Sequence, residues 1–145
     1  MSDTQARAIA NLLKTRETMG AEWEIAIEEV RLGYARIAVT VSGTMLNGYD
    51  MAHGGAIFTL ADQAFAYACN SHNDLTVAQS ATISFLSPAR RGERIVAEAQ
   101  EVMKSGRSGA YAITVRTDDG RDIAAFHGLS RTIGGAILDP ETNHA

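Results

Sequence analysis

The chain has 145 residues, 46 % hydrophobic and 21 % charged, with a net charge of −4. That length suits one domain with one core, and the interspersed charges exclude a basic nucleic-acid face or an acidic solvating tail. Cys69 is the single cysteine, so neither an internal disulfide nor a thiolate zinc site is available.

The opening residues lack a signal-peptide pattern, and no apolar run reaches the roughly 20 residues that span a bilayer, so a cytoplasmic setting is expected. Residues 3–18 carry Ala6, Ile9, Ala10, Leu12 and Leu13 near helical spacing, with Asp3 or Thr4 as the cap. They predict a short amphipathic helix outside the main body, within an N-terminal segment 1–20. Ile25 and Ile27, then Ile37, Val39 and Val41 past Gly33, alternate with smaller or polar residues, as in a hairpin of two half-buried strands.

Over residues 52–70 the pattern changes. Ile57, Leu60, Ala61, Ala64, Phe65 and Ala68 recur at helical spacing, while the other faces carry Phe58, Ala66, Tyr67 and Cys69. A helix apolar nearly all round is buried nearly all round, and Cys69 reads as a buried structural thiol rather than a nucleophile. Strand-like runs follow at about 76–86, 94–103, 110–117 and 122–132, parted by breaks at 88–92, 104–109 and 118–121 that imply antiparallel neighbours. This order describes an α+β domain over 1–145, an antiparallel sheet curled around a long central helix, with 140–145 as a flexible tail. The hotdog fold has this form. Its sheet edges call for at least a dimer.

Between Met51 and Asn73 the only fully charged side chain is Asp62, placed among Phe58, Phe65, Ala66 and Cys69 by helical geometry. A structural aspartate bonded to nearby polar groups is one reading. The other is a desolvated carboxylate with a raised pKa, as a general base or nucleophile needs. Asn47-Gly48 and His53-Gly54-Gly55 frame the start of the same helix, where unpaired N–H groups suit an oxyanion or simply form a tight turn. Gly54 and Asp62 are eight residues apart, about 12 Å of helical rise, so Asp62 is expected to serve a neighbouring subunit's oxyanion site. There is no Gly-x-Ser-x-Gly nucleophile elbow, and Gly106-Arg107-Ser108-Gly109 lacks the spacing of a phosphate loop. His53, His72, His127 and His144 lack metal-ligand spacing, so no metal is assigned. One face of the strand at 76–86 carries Thr76, Ala78, Ser80, Thr82 and Ser84, either a solvated surface or a cleft in which Ser80 positions a water. Ala61, Ala64, Ala68 and Phe58 are candidates to line an acyl pocket.

The segment 46–71, which holds Asn47, His53, Gly54 and Asp62, resembles the PaaI-type hotdog thioesterases of phenylacetate degradation. The likeness continues through Ser80–Pro88 and Phe126–Arg131 and covers nearly the whole chain. It implies hydrolysis of an aryl-acetyl-CoA, of the phenylacetyl or hydroxyphenylacetyl type, to free acid and CoA. No separate cofactor is implied, because coenzyme A is part of the substrate. By position, Asp62 resembles the carboxylate that activates water or attacks the thioester, and Gly54 the backbone N–H that polarises the carbonyl. His53 then supports that loop, Asn47 orients the water or carbonyl from the other subunit, and Ser80 helps position the water. Arg90, Arg91, Lys104 and Arg107 are the candidates for the CoA phosphates. The family pairs its subunits into dimers with sites at the interface, and the dimers into a homotetramer. The alternatives are a hotdog hydratase or dehydratase using a His53–Asp62 pair, and a non-catalytic acyl-CoA binding module.

Overall fold

Helix α1 (Asp3–Arg16) opens the computed structural model, which describes residues 2–139. Its cap is Ser2 rather than Asp3 or Thr4: the Ser2 hydroxyl accepts from the Gln5 N–H, and the Gln5 side chain accepts from the Ser2 N–H. This reciprocal pair satisfies two of the first-turn donors at once, which neither alternative cap achieves here. Asp3 instead accepts from the Leu32 N–H at 3.0 Å and ties α1 to the sheet. The expected tail at 140–145, with His144, lies outside the described residues.

The strands are β1 (Ala26–Arg31), β2 (Tyr34–Thr40), β3 (Thr76–Phe85), β4 (Arg94–Ser105), β5 (Ser108–Thr117) and β6 (Asp122–Thr132). They form one antiparallel sheet in the order β1-β2-β4-β5-β6-β3. The sheet wraps around α2 (Gly54–Asn70), as the apolar periodicity requires; this is the hotdog fold. The break at 88–92 does not join neighbours, however. β3 pairs with β6, and the chain after it crosses to β4 beside β2. Arg121 fixes that crossing, donating to the Pro88 carbonyl at 2.7 Å and pairing with Glu93.

The expected half-burial of the first hairpin fails for β2, which is buried along most of its length. On the outer face Ala38 sits low between Arg36 and Thr40, opposite Val96, while Arg36 and Arg94 both pair with Glu28. Long ion-paired arms thus shield a short side chain.

Ala61, Ala64 and Ala68 are completely buried against the sheet and line no pocket, which corrects the expectation for them. Their small size lets α2 approach closely. Phe65 packs between Tyr111 and Phe126, with its ring over Gly128. A Cβ on Gly128 would sit 2.5 Å from the Phe65 ring. Gly128→Ala is therefore expected to cost about 1–3 kcal/mol by overpacking. A shift in the urea midpoint measures it, and an unchanged midpoint would mean that the ring has room to move.

α2 lies along β3 with opposite sense. At one end the Asn70 side chain continues the strand ladder, accepting from the Thr76 N–H at 2.9 Å and donating to its carbonyl at 3.1 Å. At the other end the Phe85 ring rests on Gly54.

Candidate active site

His53 caps α2: its Nδ1 accepts from the Gly55 N–H at 2.9 Å, and its carbonyl accepts from Ala56 and Ile57. The Gly54 N–H has no acceptor among the described residues, and it lies at the positive end of the helix dipole. Asn47 stands beside it. The Asn47 Oδ1 accepts from the Tyr49 and Met51 N–H groups at 2.8 and 3.2 Å, which fixes the amide orientation and leaves Nδ2 as an unspent donor. Asn47 and Gly54 line a pocket of about 400 Å³ with Met51, Ala52, Ile57 and the segment Phe85–Pro88. Two residues with unspent donors thus line one mainly apolar pocket, a setting that suits an oxyanion.

Asp62 lies two turns along α2, half-buried, with no hydrogen bond or ion pair among the described residues. Burial alone raises its pKa above the ordinary 3.8. No polar neighbour within the subunit holds Asp62 as the structural reading requires; it stands as a desolvated carboxylate with a raised pKa. The Cys69 thiol is pushed up to about 12 by burial and, secondarily, by Asp62, as suits a packed thiol and not a nucleophile.

One neighbour of Asp62 was not legible in the sequence. Glu17, just past α1, accepts from the buried Tyr67 hydroxyl at 2.8 Å. Its pKa is raised by burial and by the Asp62 charge, against the opposing pull of the Tyr67 bond. No spacing rule links residues 17 and 62; only the docking of α1 on α2 brings the two carboxyls together.

Ser80 does not reach Asp62 within the subunit. A bulge at Gln79 shifts the β3 register, so that Ala78 pairs with Ser130 and Ser80 with Leu129. Leu129 points away from α2, since its neighbour Gly128 faces Phe65. Ser80, Thr82 and Ser84 therefore lie on the outer face, while Ala81, Ile83 and Phe85 face the helix. The single small-residue face expected for this strand is split in two by one extra residue.

His53 makes no hydrogen bond or ion pair with Asp62 either; its Nδ1 accepts at the helix cap, more than two turns from Asp62, so the subunit by itself holds no hydratase-type dyad. The four basic candidates fall into two pairs. Arg90 and Arg91 precede β4, whereas Lys104 and Arg107 lie at its far end, roughly 40 Å away. Among the described residues Arg90, Arg91 and Arg107 make no ion pair, unlike Arg94, Arg116 and Arg121.

Residues 49–124 match the sequence family described as the thioesterase superfamily. The acyl-coenzyme A thioesterase PaaI of Escherichia coli K12 is 43 % identical over 105 residues, spanning 72 % of this chain and 75 % of that one. The structure of the E. coli PaaI protein from the phenylacetic acid degradation operon superposes with a TM-score of 0.90 at 36 % identity, covering 94 % of this chain and 99 % of the other. A mutant of the phenylacetic acid degradation protein PaaI from Thermus thermophilus gives 0.77 at 30 % identity, over 81 % and 100 %. The chain belongs to the thioesterase superfamily, as a hotdog-fold thioester hydrolase. Its place there is among the PaaI-type acyl-coenzyme A thioesterases. No helix among the described residues is long and apolar enough to cross a membrane.

Proposed function

We propose that the protein hydrolyses aryl-acetyl-CoA thioesters in the cytoplasm, at sites shared between two subunits. The carrying observation is the pair of unspent donors, Gly54 N–H and Asn47 Nδ2, in one apolar pocket too far along α2 from the subunit's own Asp62. The thioester carbonyl accepts from both donors. The partner subunit's Asp62 takes a proton from water, whose oxygen attacks the carbonyl carbon. Collapse of the tetrahedral intermediate breaks the C–S bond, and the proton passes to the departing thiolate.

The bare edge of β3 supports the pairing. At the opposite edge of the sheet, Arg7 of α1 covers the Ile27 and Glu28 carbonyls of β1 at 3.1 and 3.5 Å. Nothing among the described residues covers β3, and Val77 and Phe85 are exposed along it. The proposed pairing also implies an axis. Phe58 stands midway between Gly54 and Asp62, its ring meets Phe126 at 5.2 Å, and Phe126 pairs with Ile83. A two-fold axis crossing β3 near Ile83 sets each Asp62 opposite the partner subunit's Gly54. The same axis brings the partner subunit's Lys104 and the partner subunit's Arg107 to the end that holds Arg90 and Arg91, giving the CoA phosphates one basic rim. Two such dimers form the expected homotetramer.

The aryl-acetyl preference rests on the likeness to the PaaI proteins and on the apolar wall of Met51, Ile57, Phe85 and Leu86. Thiol release measured over phenylacetyl-, hydroxyphenylacetyl-, benzoyl- and straight-chain CoA esters tests it, together with a phosphate-free phenylacetyl thioester. The expected outcome is highest kcat/KM for the aryl-acetyl esters and a raised KM without the phosphates. A best substrate among the straight chains would sink the acyl assignment. Interconversion of enoyl and hydroxyacyl esters without free CoA would sink hydrolysis.

A further inference from the structure

Phe85 is left half-uncovered by the fold of its own subunit. It is the last residue of β3, pairs with Ala124 and faces α2, yet it is 52 % exposed. A packed phenylalanine on that face would be covered, as Phe126 is. Its ring lies directly against the helix entry: a Cβ on Gly54 would stand 3.1 Å from Cζ. The backbone beneath it is held firmly. The Leu86 N–H donates to the Ile123 carbonyl at 2.8 Å, and Arg121 grips the Ser87 hydroxyl at 3.2 Å and the Pro88 carbonyl at 2.7 Å. An aromatic ring that is half-exposed, carried on a firmly held backbone and set against the residue with the unspent N–H is placed to touch a ligand.

We infer that Phe85 is a substrate-contacting residue of the thioester site, its ring forming the wall that presses the thioester carbonyl onto the Gly54 N–H. The inference rests on the thioesterase reading above. A side chain on Gly54 would crowd the same ring, which would have to give way by a few tenths of an ångström. The wall also keeps water off the carbonyl on the side away from the attacking oxygen, so the hydrogen bond to Gly54 forms in a dry setting, where it is stronger.

The test compares Phe85→Ala and Phe85→Leu with the control Leu32→Ala, an exposed apolar residue in the turn between β1 and β2. The readouts are phenylacetyl-CoA turnover, binding of a non-hydrolysable thioether analogue, thermal midpoint and molecular mass in solution. Phe85→Ala is expected to lower kcat/KM and analogue affinity about tenfold, with mass and midpoint held. Phe85→Leu should recover part of that loss, and Leu32→Ala should change little. Analogue affinity within about twofold of wild type in Phe85→Ala would overturn the inference. So would a loss that appears only with a fall in mass, because Phe85 would then serve subunit contact alone. Absence of thiol release in the wild type, with analogue binding still dependent on Phe85, would sink the thioesterase reading and leave the contact standing.

Discussion

Asp62→Asn is expected to lower thiol release by about 10²–10⁴-fold, the range of a positioned acid–base group, while the protein folds normally. The substitution keeps the size and removes only the basic oxygen. Turnover within about threefold of wild type would exclude the role, being far below the loss of such a group. A stability change of opposite sign accompanies the loss. Burial lifts the Asp62 pKa above 3.8, so the folded protein keeps this proton at pH values where the unfolded chain has already released it. Stability therefore falls as pH rises from 3.8 through the raised folded value, and the full cost persists above it. Asn carries no such cost. At about pH 7 Asp62→Asn should unfold at a higher temperature than wild type, and the gap should narrow as pH falls towards 3.8. Glu17 adds to this, since it loses a like-charged neighbour. In the wild type kcat/KM should decline on the acid side above the usual carboxylate range, because the working form is the ionised one.

This opposition between stability and activity explains why the most informative residue in the sequence is also the easiest to find. A carboxylate inside an apolar helix is a local anomaly, and periodicity alone exposes it. The cap at His53 and the donors at Gly54 and Asn47 are local too, each set within a few residues of the helix entry. Ser80, Glu17 and Phe85 are different. The direction of Ser80 depends on a one-residue bulge, which binary alternation cannot register because the run stays strand-like on both sides. Glu17 gains its meaning only when α1 docks on α2, and Phe85 only when β3 pairs with β6 instead of β4. The sequence conceals that pairing because the break at 88–92 has turn-like composition, although the chain there is making a crossover held by Arg121. Residues whose neighbours are sequential were legible; residues placed by strand order were not.

Two individually inactive proteins should make an active one. Asn47→Asp keeps the Oδ acceptor that the Tyr49 and Met51 N–H groups require, so the turn survives. It replaces the free donor with a negative charge beside the forming oxyanion, and a loss of about 10²–10³-fold is expected. Asp62→Asn removes the base. If each site takes Asn47 and Gly54 from one subunit and Asp62 from the other, a mixed dimer has one doubly damaged site and one free of either change. Random assembly after co-expression makes half the dimers mixed, each with one of two sites intact. Turnover should then recover to about a quarter of wild type. Were Asp62 to serve its own subunit's Gly54, every site would carry one lesion or the other, and co-expression would give no more than the mean of the two parents. The eight-residue separation along one rigid helix, about 12 Å, makes the first outcome the expected one. Asp62 and Gly54 sit on a single element that cannot bend to bring them together, so recovery on mixing, and not the mean of the parents, is the result the proposed shared site requires.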